Sequence, residues 1–133
     1  MSIQINRQEF QAVTALAADA RYAYFLKKIA DWEEVWGIGD ENGWAFMTDG
    51  AVELFPVWPA EAYAAACCVG EWQSKRPKAI DLDTCMEKWI PGLIRDNRQI
   101  AVFPIVTDTG NRGVVVTGER LIAELDEALE AYE

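Results

Sequence analysis

The sequence predicts an α+β fold, in which helices pack around a mainly antiparallel sheet of about five strands. Two observations lead to this prediction. The apolar residues switch between a helical period and an alternating period along the chain, and the predicted strands and helices come in runs instead of alternating one by one. With 133 residues and 51% hydrophobic content, residues 1–133 are expected to form a single domain with its own core.

Two helices are predicted at the N-terminus. Asn6 followed by Glu9 is typical of a capped helix start, and Asp19 is expected to cap the second helix. Apolar side chains recur at helical spacing in both segments, at Phe10, Val13 and Leu16 in the first and at Tyr22, Phe25, Leu26 and Ile29 in the second.

Three strands are then predicted, over residues 35–41, 44–48 and 52–57. The Asn42-Gly43 dipeptide between the first two favours a tight hairpin with a type I′ turn, because both central positions of that turn need a positive φ.

This turn predicts the register of the hairpin. Glu41 would pair with Trp44 and Gly39 with Phe46, and alternation would place the two aromatic side chains on one face. Gly37 and Gly39 would lie beneath these rings, an arrangement in which an aromatic side chain covers exposed backbone.

The next segment is predicted to be helical from Pro59 to Val69. Residues 74–78 are polar, basic and broken by Pro77, which indicates a loop. Asp81 is expected to cap a further helix, in which Pro91 should produce a kink or an early end.

The C-terminal part predicts a hairpin and a helix. Strands are expected over residues 99–106 and 113–116, with a turn over residues 107–112. Thr117 is expected to cap the final helix.

Composition excludes several kinds of chemistry. The chain has no histidine, which rules out Ser-His-Asp and Cys-His catalysis and His-zinc sites. Its three cysteines, Cys67, Cys68 and Cys85, are odd in number and lack Cys-x-x-Cys spacing, so we expect buried thiols and neither a disulfide framework nor a metal site. No cofactor is predicted.

Location and partners follow from hydropathy and charge. The N-terminus lacks the apolar run of a signal peptide and no stretch is long enough to cross a membrane, so a cytoplasmic protein is expected. The formal net charge of −10 opposes binding to nucleic acids and anionic lipid, and favours a cationic protein as partner. The sequence leaves the oligomeric state open, and a dimer remains one alternative.

One stretch is uneven in charge and aromatic content. Residues 29–74 contain nine acidic residues, no lysine or arginine, and five of the six tryptophans. We interpret this stretch as a candidate interaction face in which aromatic side chains lie inside an acidic rim. Its candidate residues are Glu41, Trp44, Phe46, Glu53 and Trp58.

Two other interpretations stay open. Helices covering both faces of the hairpin would make these aromatics ordinary core residues. Alternatively, a cleft among the tryptophans would serve a small-molecule binding module or a carboxylate-dependent enzyme. The positions of Trp44, Trp58 and Trp72 distinguish an exposed patch from a deep pocket.

Several motifs together resemble a bacterial protein family. They are Arg21-Tyr22-Ala23-Tyr24-Phe25-Leu26, Glu34-Val35-Trp36-Gly37-Ile38, Pro56-Val57-Trp58-Pro59, Trp89-Ile90-Pro91-Gly92-Leu93 and Ala101-Val102-Phe103-Pro104. The set is similar to domain of unknown function 2750 (DUF2750), from about Phe10 to the last helix. This resemblance implies a fold and no particular activity, cofactor or catalytic residue.

A shorter resemblance concerns the hairpin. Asp40 to Phe46 looks like the aspartate-rich Gly-Trp hairpin of some small acidic bacterial immunity proteins, which oppose basic nuclease toxins. We therefore interpret the chain as a non-enzymatic bacterial interaction module, with an immunity-like role as one form of it.

Overall fold

A computed structural model describes residues 5–105 and 113–130, except for the side chains of Asp49 and Glu71. It confirms the α+β class. The helices are α1 (Arg7–Thr14), α2 (Ala18–Trp32), α3 (Glu61–Ala65), α4 (Leu82–Thr84), α5 (Ile90–Arg95) and α6 (Gly118–Glu130), with a 3₁₀ turn at Gly70–Trp72 and a π-helical turn at Cys85–Trp89. The strands are β1 (Glu34–Asp40), β2 (Gly43–Trp44), β3 (Met47–Asp49), β4 (Val52–Val57), β5 (Arg76–Asp81), β6 (Gln99–Val102) and β7 (Val114–Val116).

These strands form two open sheets instead of one. The first has the order β2-β1-β5 and the second the order β3-β4-β6-β7. The pairing is mainly antiparallel, as predicted, but β4 and β6 run parallel. The two sheets are joined where the backbones of Trp36 and Trp58 exchange hydrogen bonds of 2.9 and 2.8 Å.

The predicted hairpin is present, but the predicted register and turn type are wrong. The structure pairs Gly39 with Trp44 and Asp40 with Gly43. The Asp40 carboxylate accepts the Asn42 N–H at 2.9 Å, which closes the turn around Glu41 and Asn42. The positive φ of 129° falls on Gly43 and not on Asn42, so the turn is not type I′. Because the shift is two residues, Trp44 keeps its predicted place on the face where Gly37 lies.

The second predicted strand, over residues 44–48, is divided. Ala45 donates a last backbone hydrogen bond to Ile38, at 2.7 Å, and the chain then leaves the first sheet. Residues 47–49 pair with β4 as part of the second sheet. The division lets Phe46 turn toward Phe55 of β4, with a centroid separation of 5.4 Å.

The loop predicted over residues 74–78 is wrong for residues 76–78, which belong to strand β5. This strand pairs antiparallel with β1 from Glu34↔Asp81 to Gly39↔Arg76. As the outer strand of its sheet it tolerates Pro77, and lysine and proline are residues that protect an edge from further pairing. The composition that suggested a loop is therefore typical of an edge strand.

The helix predicted from Asp81 passes through Pro91 without ending. The Asp81 carboxylate accepts the Thr84 N–H at 3.3 Å, which confirms the predicted cap. The wider π-helical turn at Cys85–Trp89 directly precedes the proline. Pro91 cannot donate an N–H, and a local change of helical winding accommodates that loss.

Other helix boundaries are confirmed in part. Asn6 caps α1 and Thr117 caps α6, with side-chain hydrogen bonds of 2.8 and 3.2 Å. Asp19 does not cap α2, because the helix begins at Ala18 with Ala17 as its N-cap residue. The helix predicted over residues 59–69 is α3 alone, only five residues long.

The C-terminal hairpin is shorter than predicted. Strand β6 stops at Val102 because Phe103 takes a positive φ of 58° and turns the chain. The predicted turn over residues 107–112 lies outside the described residues.

The core lies where helices α2, α5 and α6 cover the two sheets. Its largest helical side chains are buried against apolar residues of β1, β4 and β6. They include Phe25, Ile29, Ile90, Leu93, Leu121 and Leu125 on the helices and Val35, Phe55, Val57 and Ile100 on the strands.

Candidate functional site

Four aromatic side chains from three separate segments of the chain pack together, and we call them the aromatic cluster. They are Trp44 on β2, Phe46 after it, Phe55 on β4 and Trp89 in the π-helical turn. The rings of Phe55 and Trp89 are stacked, with centroids 5.4 Å apart and planes 9° apart, and Trp44 meets Trp89 edge-on at 4.9 Å. Phe55 is buried, whereas the other three are half-buried and keep part of their surface exposed.

Glycine makes room for Trp44. A β-carbon on Gly37 would lie 2.9 Å from Cζ3 of Trp44, so the indole rests directly on the backbone of β1. The predicted cover of Gly37 by an aromatic ring is therefore confirmed, although the ring belongs to Trp44 in a shifted register.

Two basic side chains lie over the cluster. Lys78 Nζ is 4.6 Å from the centroid of the Trp44 ring, and the guanidinium carbon of Arg98 is 4.7 Å from the centroid of Phe46. Lys78 reaches Trp44 across β1 because the intervening residues, Gly37 and Gly39, have no side chains. Each contact is within the distance of a favourable cation–π interaction.

The acidic rim is therefore partly neutralised within the chain. Glu41 is exposed, but Glu53 accepts from Arg98 Nη2 at 3.3 Å. Asp40 accepts from Lys75 Nζ at 2.8 Å, and this bond, together with the Asn42 N–H, lowers the pKa of the Asp40 carboxyl. The charges around the predicted acidic rim are thus of both signs, because β5 and the segments directly before β5 and β6 bring lysines and arginines beside it.

Trp58 does not belong to the surface. It is completely buried, and its indole N–H donates to the Pro104 carbonyl at 2.8 Å. Trp72 packs edge-on against it with centroids 6.4 Å apart. Proposing Trp58 as an interface residue was wrong, because a strand end that joins two sheets is covered from both sides. Trp44, Trp58 and Trp72 therefore do not line one deep pocket.

A cleft of about 230 Å³ opens beside the aromatic cluster. Its walls combine apolar and charged side chains, namely Phe46, Trp89, Leu93, Gly92, Lys88, Asp96 and Arg98. The π-helical turn brings Lys88 and Trp89 to this cleft, and π-helical turns occur frequently at functional sites.

A second cavity, of about 310 Å³, lies against Phe10, Tyr63 and Phe103. The Tyr63 hydroxyl lies 2.9 Å from the Tyr24 hydroxyl, which donates a hydrogen bond to the Glu9 carboxylate at 2.6 Å. Burial raises the pKa of Tyr63 to about 12, and burial together with the Glu9 hydrogen bond raises the pKa of Tyr24 further. Both phenols are therefore neutral near pH 7, which favours a structural hydrogen-bond chain over acid–base chemistry.

Sequence reasoning missed Lys78, Lys88, Trp89 and Arg98 as site residues. Trp89 lies in the segment predicted as a helix after Asp81, and helical spacing of apolar residues does not distinguish a half-buried aromatic from a core one. One signal was available: residues 75–98 contain six of the twelve lysines and arginines and only four acidic residues. This basic segment packs beside the tryptophan-rich acidic stretch.

Two further properties concern the described residues. Within residues 5–105 and 113–130, no three cysteine, aspartate or glutamate side chains lie close enough to hold a metal ion. In the same part of the chain, no helix has the length and hydropathy needed to span a membrane.

Comparison with known proteins identifies one family. The family model described as "Protein of unknown function (DUF2750)" matches residues 22–125, from α2 to α6. The matched span contains the whole aromatic cluster and the adjoining cleft. No curated protein matches the chain, and no solved structure does.

Proposed function

Because this chain belongs to the DUF2750 family, whose description names no activity, we propose from the surface itself that it is a non-enzymatic protein-interaction module. The observation that carries this proposal is the half-buried aromatic cluster with charged residues of both signs around it. The docking surface is centred on Trp44, Phe46 and Trp89.

The composition of this surface matches that of protein interfaces. Tryptophan, phenylalanine and arginine are enriched at interfaces, and energetically dominant contacts come from aromatic residues inside a polar rim. Here Arg98 lies over Phe46 and exposed Glu41 stands in the hairpin turn next to Trp44. The rings are held by Phe55 and Gly37, so little side-chain freedom is lost on binding.

A basic protein is the partner that the charge favours. The chain carries −10, and a charge of this size steers an oppositely charged molecule from a distance. At contact, the ion pairs Lys75–Asp40 and Arg98–Glu53 leave the surface close to neutral. Electrostatics thus accelerates the encounter, while the aromatic rings supply the affinity.

The resemblance of the hairpin to acidic immunity proteins favours a basic nuclease toxin as such a partner. We place the module in the cytoplasm. Cys67, Cys68 and Cys85 form no disulfide, which suits a reducing compartment.

Footprinting of a complex tests the proposal. The native chain is used to capture partners from an extract of its own host, and the purified complex is labelled with hydroxyl radicals. We expect reduced oxidation of Trp44, Phe46 and Trp89, and unchanged oxidation of Trp32, a half-buried tryptophan on α2. Protection confined to α1 or α6 would contradict the proposal.

A further inference from the structure

The cleft beside the aromatic cluster has the side chains that an amino acid needs for recognition. We propose that it binds a free α-amino acid with an aromatic side chain. The side chain would lie against Phe46 and Trp89, the carboxylate would face Lys88 and Arg98, and the ammonium group would face Asp96. This inference does not rest on a protein partner.

The walls of the cleft carry positive and negative side chains that can make further contacts with a ligand. Lys88 is exposed beside the cleft. Arg98 contacts Glu53 at 3.3 Å and Asp96 at 3.8 Å, and both distances exceed the 2.7–2.9 Å of a tight charge-assisted hydrogen bond. These loose pairs can exchange for a ligand's carboxylate and ammonium groups at small electrostatic cost.

The mixed lining selects a zwitterion over a simple anion or cation. An anion would gain from Lys88 and Arg98 but would lie near Asp96, and a cation would meet the reverse arrangement.

The size of the cleft suits a small ligand. About 230 Å³ is less than the roughly 300–1,000 Å³ of pockets for drug-sized ligands, and a single amino acid fits this volume. The aromatic walls favour a planar side chain, which can stack or meet the rings edge-on.

Gly92 forms part of the wall and provides a way to close the cleft. Its added β-carbon would meet only Arg95 Nη2, at 3.6 Å, which is an ordinary contact. Gly92→Leu therefore fills the cleft without forcing a change in the backbone of α5.

The test is a titration of the purified ¹⁵N-labelled chain, with the Gly92 amide and the Trp89 indole N–H followed by NMR. The probes are L-phenylalanine, phenylacetate and phenethylamine, which share the ring and differ in charge. We expect saturable shifts with L-phenylalanine and at least about tenfold weaker binding of the other two.

Three variants complete the experiment. Gly92→Leu should abolish the shifts of the Trp89 indole, Lys88→Met should weaken binding about tenfold, and Arg7→Met, which removes an exposed charge from α1, should leave it unchanged. The ¹⁵N spectrum of each variant reports that it is folded. Equal binding of phenylacetate, an unaltered response in both cleft variants, or no saturable shift below about 10 mM L-phenylalanine would overturn the proposal.

Discussion

Trp58 connects the two sheets through both its backbone and its side chain. Its backbone exchanges hydrogen bonds with Trp36, and its indole donates to Pro104 next to the buried Cys67 thiol. The residue thus fixes the position of β1 relative to the end of β4. Trp58 therefore helps to hold the two sheets together, whereas Trp44 forms part of the half-buried aromatic cluster.

We predict that Trp58→Phe destabilises the protein by about 2 kcal/mol or more. The phenyl ring fills less of the site and leaves the buried Pro104 carbonyl without its indole donor. Urea unfolding measures the change, and an unaltered m-value would show that the cause is stability. Trp32→Phe, at a half-buried position, should have a much smaller effect. Equal losses for the two variants would contradict the assignment.

Buried phenols predict how stability depends on alkaline pH. Burial raises the pKa of Tyr63 to about 12, and burial together with the Glu124 hydrogen bond raises the pKa of Tyr22. The neutral phenol is thus favoured in the folded state, whereas in the unfolded chain it ionises near pH 10. The stabilising contribution of the neutral phenols is therefore fully present below about pH 10. It is lost as the pH rises toward the pKa values of the folded state.

Denaturant unfolding between pH 8 and pH 12 checks this prediction. Burial raises the pKa of the Cys85 thiol from 9.0 to about 12, so the free energy of unfolding should begin to fall above about pH 9. It should fall more steeply above about pH 10, where the phenols also ionise in the unfolded chain. The Tyr22→Phe/Tyr63→Phe variant should therefore show a shallower decline and not a flat curve. An identical decline in the variant would assign the effect to other groups.

Helices α5 and α6 show how one residue type can have opposite roles in two elements. Gly118 lies at the start of α6 against α5, where an added β-carbon would be 2.5 Å from Cγ1 of Ile94. Gly92 lies within α5 beside the open cleft and has room for a methyl group. The first glycine is required by helix packing, and the second is not.

We predict that Gly118→Ala destabilises the protein by about 1–3 kcal/mol, because the two helices must separate. Gly92→Ala should be neutral or should stabilise it by up to about 1 kcal/mol, since alanine favours the helix. Thermal melts of the two variants provide the comparison. A large loss of stability for Gly92→Ala would mean that the cleft does not have the space described.

The elements that were predicted well are those whose local chemistry agrees with their packing. The Asn6, Asp81 and Thr117 caps are examples. Strand β5 was missed because its lysines and proline suit an edge as well as a loop. The parallel pairing of β4 with β6 was missed because it depends on a long crossover connection, which leaves no local pattern in the sequence.

In the whole molecule, the fold places basic side chains against the aromatic residues of the acidic stretch. The sequence predicted that Trp44 and Phe46 share a face, because strand alternation is local. It did not predict that Lys78, Trp89 and Arg98 would join them, since those contacts depend on β5 and the π-helical turn. The aromatic cluster is therefore surrounded by charges of both signs, although the molecule as a whole is acidic.

We propose that Trp44 contacts the partner protein, and affinity measurements on the captured partner test this contact. Trp44→Ala should weaken binding by about 2 kcal/mol or more, roughly thirtyfold, mainly through faster dissociation. The Glu41→Gln change should have a smaller effect, seen in the association rate at low salt. Trp32→Ala is the matched control, and circular dichroism confirms that each variant is folded. Unchanged affinity for Trp44→Ala, or an equal loss for Trp32→Ala, would contradict the account.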